Sequence, residues 1–182
     1  MTPTHTFHPS ILREYDIRGI VGETLYPTDA EAIGRGFGTA VRRAGGKRVC
    51  VGYDGRVSSP AMEAALVKGL MSTGVVVERI GRGPTPMLYF ATVDSGADGG
   101  VMVTGSHNPP THNGFKMMIG RKPFFGADIK NLGLAAARGD VETGAGTVAD
   151  APAFERYVAA AEGLFRRACS DRGLGSRQWG RR

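Results

Sequence analysis

The sequence predicts a single α/β domain, a mostly parallel, mixed sheet with flanking helices. Three observations carry this expectation. At 182 residues the chain can bury one good core but falls short of two ordinary domains with their linkers. Short β-branched runs alternate with stretches of helical periodicity, which implies parallel strands joined by right-handed crossovers. Loops rich in Gly, Ser, Asn and Pro follow the strands, on the side where open α/β sheets place their ligand crevice.

Thr28 with Glu31 three residues later has the form of a capping box. Ala30, Ile33, Phe37, Val41 and Ala44 then recur at helical spacing until Gly45-Gly46 ends the helix. Gly34, Gly36 and Gly38 fall inside that helical period and follow no strand, so they read as helix and not as a phosphate loop. Arg48–Tyr53 has the composition of a buried strand. Ser59-Pro60 opens a second helix that carries Met62, Leu66, Leu70 and Met71 on one face and closes at Gly74. Further strands are expected over 75–80, 101–103 and 115–119, with a short helix over 85–93 between the first two. A helix is expected over 128–138, a small polar linker over 140–152 and a last helix over 153–167. The domain is thus bounded at residues 1–150, with a linker helix and tail over 151–182. His5 and His8 have ligand-like spacing without acidic or Cys partners, and their segment is expected to be disordered.

Hydrophobic residues at 41% and charged residues at 22% are ordinary for a soluble chain. No run approaches the ~18 apolar residues of a membrane span and the start has no signal-peptide core, so a cytoplasmic protein with no membrane partner is expected. Cys50 and Cys169 lie far apart and suggest neither a disulfide framework nor a metal cluster. The 23 basic and 17 acidic residues leave a net charge of +6, which would attract phosphorylated partners. Six of the arginines lie between Arg166 and Arg182 against Asp171 alone, so the excess elsewhere is about +1 and no specific nucleic-acid partner is expected.

The chemistry concentrates in Val-Met-Val-Thr-Gly-Ser-His-Asn-Pro-Pro-Thr-His-Asn-Gly-Phe-Lys, residues 101–116. A strand breaks there into a loop and resumes as a strand. Gly105 is expected to turn the backbone sharply, while Asn108, Pro109 and Pro110 restrict the loop, so that the Ser106 hydroxyl is held. His107, Lys116 and Arg18 could surround a dianionic phosphate on it. A serine in such a loop is ordinarily a turn residue, and each of these cations alone is ordinarily a surface residue. A serine hydrolase is excluded. Sequence neighbours such as Ser106 and His107 tend to point apart, and Asn108 stands where the GxSxG elbow needs its last glycine.

Three further stretches join this loop: Tyr15-Asp16-Ile17-Arg18-Gly19, Val51-Gly52-Tyr53-Asp54-Gly55-Arg56 and Gly83-Pro84-Thr85-Pro86. In order and spacing the four together resemble the α-D-phosphohexomutases over roughly residues 12–165, and their wording resembles the phosphomannomutase/phosphoglucomutase branch. Phosphoglucosamine mutases tend to show a GTDGIRG-like start and an SASHNP-like serine loop. The resemblance implies the first domain of a four-domain enzyme that interconverts hexose 6-phosphate and hexose 1-phosphate. In it Ser106 carries the phosphoryl group, with a hexose 1,6-bisphosphate as intermediate and activator. Catalytic roles fall to Ser106, His107, Lys116 and Arg18, and substrate contact to Tyr15, Arg18 and Lys116. Magnesium is implied at the phosphate of Ser106, with its remaining ligands outside this chain. Asp54 and Arg56 could pair to hold the crevice loop or act directly, and the residues leave both open.

The family's DGDGDR magnesium loop, its sugar-selecting loop and its phosphate-clamping loop find no match here, so the chain alone is not expected to be a competent mutase. Beyond Phe165 the text departs from the family. One choice of codons for residues 173–182, read in another frame, spells Val-Asp-Ser-Gly-Ala-Gly-Asn-Gly-Ala-Ala, close to what the family places there. The expectation is a frameshifted, poorly ordered tail. The alternative function is a stand-alone sugar-phosphate binding or regulatory module without mutase activity.

Overall fold

The structure, a computed structural model, describes residues 3–170, with side chains described as far as 167. The first strand, β1 (Ile17–Ile20), precedes helix α1 (Pro27–Arg43), after which come β2 (Arg48–Tyr53), α2 (Ser59–Met71), β3 (Val76–Arg82), α3 (Thr85–Asp94) and β4 (Gly99–Val103). Then follow β5 (His112–Ile119), β6 (Lys122–Phe124), α4 (Ala127–Arg138), β7 (Thr147–Asp150) and α5 (Phe154–Ser170). They form one sheet in the order β1-β5-β4-β2-β3-β7, with β6 paired to β5 beside β1. The strands β4, β2, β3 and β7 are mutually parallel, whereas β5 runs antiparallel to β4, β1 and β6. The sheet is therefore mixed, its parallel part made by the βαβ units that the alternation implied.

Both faces are covered. Phe37, Ile33, Leu66, Leu70, Val51, Val103, Phe115 and Ile129 form the larger core under α1, α2 and α4. Ile80, Met87, Leu88, Met102 and Cys50 form the smaller one under α3 and α5. Helices α1 and α2 lie close because Gly34 faces the backbone of Leu66 and Gly69 that of Glu31, with no room for a Cβ at either position. The three glycines of α1 are buried helix residues, as the period required.

Several local expectations are corrected. The start of α1 is capped two residues earlier than Thr28 and Glu31 suggested, with the Tyr26 amide donating to Asp29 Oδ2 at 2.7 Å. Glu31 instead pairs with Arg35 and Lys68. The expected linker contains an edge strand, β7, which pairs parallel with the open edge of β3, where Arg79 lies 2.7 Å from Glu63 of α2 and 3.7 Å from Asp150. The His5 segment, expected to be disordered, packs in place: His5 Nε2 lies 2.7 Å from Asp29 Oδ1 and the ring meets Phe7 edge-on. Strands β1 and β6, too short to show a period, are additional to those expected. The poorly ordered, frameshifted tail was expected from Arg166 onward; α5 instead continues to Ser170, and residues 171–182 lie outside the described residues. No helix among the described residues is long and apolar enough to cross a membrane.

Candidate active site

The parallel strands β2, β3 and β4 end on one side of the sheet, and the loop of residues 104–111 leaves from that side between β4 and β5. Its neighbour across β2 is the loop that begins at Asp54, whose amide donates to the Val103 carbonyl at 2.9 Å. Ser106 stands exposed on this loop and borders an open depression of about 480 Å³ shared with Asp54, Gly55, Arg56, Val57, Asn108 and Pro110.

The unusual backbone belongs to Ser106 itself, at φ 51°. Gly105, expected to supply the turn, is needed for space: a Cβ there would collide with the Arg56 guanidinium. Serine enters the left-handed region only when its surroundings hold it there. Here the Ser106 amide donates to Thr104 Oγ1 at 2.9 Å and its carbonyl accepts from Arg56 at 3.0 Å. This geometry also turns Ser106 toward its neighbour. Ser106 Oγ lies 3.2 Å from His107 Nδ1, so the expectation that the two point apart is overturned.

Asp54 is the hub beneath the loop. Its Oδ2 accepts from Thr104 Oγ1 at 2.9 Å, from the Gly105 amide at 3.1 Å and from Arg56 Nε at 3.2 Å. Its Oδ1 accepts from Ser59 Oγ at 2.6 Å and the Arg56 amide at 3.1 Å. Burial works against its charge, but the hydrogen bonds from Ser59, Arg56, Thr104 and Gly105 outweigh it and hold the carboxyl below its ordinary value. Buried Asn113, at the start of β5, extends the network by donating to Ser58 Oγ at 2.8 Å and Ser59 Oγ at 3.0 Å. Thr104, Ser59 and Asn113 were not singled out by the sequence reading. Thr104, two residues ahead of Ser106, has a spacing that side-chain-to-backbone turns use, and that was the available signal.

The cations anticipated around Ser106 divide into two kinds. Arg18, buried on β1, donates to the Gly105 carbonyl and pairs with Asp16, so it is brought to the loop with its guanidinium engaged by protein. Lys116 sits opposite Met102 in the β4–β5 register, and its half-buried side chain has no hydrogen bond or ion pair among the described residues. Tyr15 is 78% exposed and stacks on Phe125, with no bond to the serine loop. Arg56, left open by the sequence, proves to be bound to the loop backbone. The described residues include no group of three or more His, Cys, Asp or Glu side chains placed to hold a metal ion, and the Asp54 carboxylate is already filled by donors. They do not by themselves fit a magnesium site.

A covered α/β sheet with a built serine loop at its strand ends defines a ligand-handling domain of the open α/β class. Residues 9–131 match the model of the phosphoglucomutase/phosphomannomutase α/β/α domain I. The chain belongs to the phosphoglucomutase/phosphomannomutase family. It is 40% identical over 152 residues to a phosphomannomutase/phosphoglucomutase of Pseudomonas aeruginosa, covering 84% of this chain and 33% of that protein. It is also 46% identical over 122 residues to a phosphoglucomutase of Neisseria gonorrhoeae, covering 67% of this chain and 26% of the relative. A crystal structure of a phosphoglucomutase/phosphomannomutase family protein from Burkholderia thailandensis superposes with TM-score 0.80 at 41% identity, covering 84% of this chain and 35% of that one. The chain thus spans about a quarter to a third of the length of these relatives.

Proposed function

We propose that Ser106 is the phosphoryl carrier of a phosphohexomutase and that this chain is the domain that presents it. The observation that carries the reading is the construction of the loop. A non-glycine residue at φ 51° is held by a hydrogen bond on each side, and the residue borders an open depression. Such precise holding is what phosphoryl transfer demands, because catalysis there is mainly positioning and charge stabilisation.

In the transfer Ser106 Oγ attacks the phosphorus of a hexose 1,6-bisphosphate. The new bond joins Oγ to phosphorus, the bond from phosphorus to the sugar oxygen breaks, and the proton leaving Oγ ends on that sugar oxygen. His107 Nδ1, 3.2 Å from Oγ, is placed to take the proton first. The Lys116 ammonium, without a side-chain partner among the described residues, supplies charge for the transferring phosphoryl group, and Arg18 steadies the Gly105 carbonyl behind it. Tyr15 offers an exposed ring to the sugar. Hexose phosphates, mannose or glucose, are the substrates: in the reverse of this step phosphorylated Ser106 gives its phosphoryl group to a hexose monophosphate, and the bisphosphate so formed, turned over in the site, returns its other phosphoryl group to Ser106 by the attack above. A magnesium ion would be held by a phosphate carried on Ser106 together with ligands from outside the described residues, where it would offset phosphate charge; the proposed setting is cytoplasmic.

Incubation with a hexose 1,6-bisphosphate, with and without magnesium, followed by intact mass measurement, is the test. The chain should gain one phosphoryl group that Ser106→Ala does not. Equal labelling of Ser106→Ala would end the assignment.

A further inference from the structure

The side chain most heavily committed to the site is one the sequence left ambiguous. We infer that Arg56 is the positioning residue that sets the Ser106 loop for phosphoryl transfer, acting through the loop backbone and not through the ligand. The inference rests on the reading of Ser106 as phosphoryl carrier.

An arginine has five N–H donors in a rigid planar fork. In Arg56 all five are used. Nε donates to Asp54 Oδ2 at 3.2 Å. Nη1 donates to the carbonyls of Pro109 at 2.6 Å and His112 at 3.0 Å, and Nη2 to those of Ser106 at 3.0 Å and Asn108 at 2.7 Å. One guanidinium therefore gathers four carbonyls from the stretch between Ser106 and His112, while Asp54 balances its charge and itself binds the Gly105 amide and Thr104 hydroxyl at the loop's root.

Two consequences follow from this saturation. Arg56 has no donor left for a phosphate on Ser106 unless a loop bond breaks, so it is not a phosphate ligand in this arrangement. The left-handed conformation of Ser106 also depends on it, since one of the two bonds that hold that residue comes from Arg56 Nη2. The absent side chain at Gly105 makes the close approach possible. Arg18 holds the Gly105 carbonyl separately, so the loop keeps an anchor when Arg56 is changed and loses the geometry of Ser106 first. Lysine cannot substitute, because three donors on a point charge do not reach four separated carbonyls.

The test compares the full chain with Arg56→Lys and Gly105→Ala, the second of which keeps the guanidinium but forces it off the loop. Hydrogen exchange at the Ser106, Asn108 and His112 amides should speed at least tenfold in both, while amides of β2 and β4 are unchanged. In single-turnover labelling with hexose 1,6-bisphosphate, the maximal rate should fall at least tenfold, with the half-saturating concentration within twofold of the parent. Unchanged loop exchange in both variants would overturn the inference. So would a raised half-saturating concentration with an unchanged maximal rate, which would make Arg56 a ligand contact. If the parent chain takes up no phosphate, that result counts against Ser106 as carrier, and the exchange comparison alone still decides whether Arg56 orders the loop.

Discussion

Thr104→Val tests most directly how the serine loop is held. Valine keeps the shape and removes only the hydroxyl, which donates to Asp54 Oδ2 at 2.9 Å and accepts from the Ser106 amide at 2.9 Å. Thr104 is 4% exposed, so water replaces neither partner easily. A hydrogen bond to a charged group contributes about 1.5–3 kcal/mol and a neutral one about 0.5–1.5 kcal/mol. The loss should therefore be about 2–4 kcal/mol. For a domain of this size, with roughly 2–4 °C of midpoint per kcal/mol, the thermal midpoint should fall by about 4–16 °C. Denaturant unfolding followed by circular dichroism measures it, with Thr104→Ser as a control that keeps both bonds. A loss below about 0.5 kcal/mol in Thr104→Val, or an equal loss in Thr104→Ser, would refute the reasoning, because the hydroxyl would then hold nothing.

Other outcomes follow from the same geometry. The Asp54 carboxyl is depressed in the folded state, so its stabilising effect is complete above its unfolded value of about 3.9 and is lost as pH falls through the lower folded value. Asp54→Asn should accordingly flatten the acid limb of the stability profile below about pH 4, measured by unfolding at a series of pH values. Lys116→Met should slow phosphoryl uptake by at least tenfold with an unfolding midpoint near that of the parent, because its ammonium has no protein partner to lose among the described residues. Gly69→Ala gains about 1 kcal/mol of helix propensity but drives a methyl into the Glu31 carbonyl. The net loss should be about 2 kcal/mol, read as a lower denaturant midpoint.

The elements with a clear period were legible before any coordinates. Arg48–Tyr53 was found to the residue because Val49, Cys50 and Val51 form a short apolar run without polar alternation, the mark of a strand buried on both faces. The helices beginning near Pro27 and Ser59 showed their apolar stripes and their glycine or proline punctuation. Strand β7 was missed for a physical reason: all four of its residues are exposed, so neither alternation nor apolarity marks it, and it forms by backbone pairing with the open edge of β3. Strands β1 and β6 are likewise made by pairing with β5.

The same division runs through the site. Sequence by itself determined that Ser106 sits in a loop between two strands, with His107 beside it and with Arg18, Arg56 and Lys116 available. It also determined the family resemblance, since that resides in the order of residues along the chain. Only the tertiary structure decided what each group is free to do. Arg56 has all five donors spent on Asp54 and loop carbonyls, Arg18 is engaged by Asp16 and the Gly105 carbonyl, Lys116 has no side-chain partner among the described residues, and the positive φ fell on Ser106 and not on Gly105. A guanidinium looks the same in sequence whether its donors are occupied or empty. Occupancy depends on carbonyls that lie about fifty residues away in the chain and a few ångströms away in space.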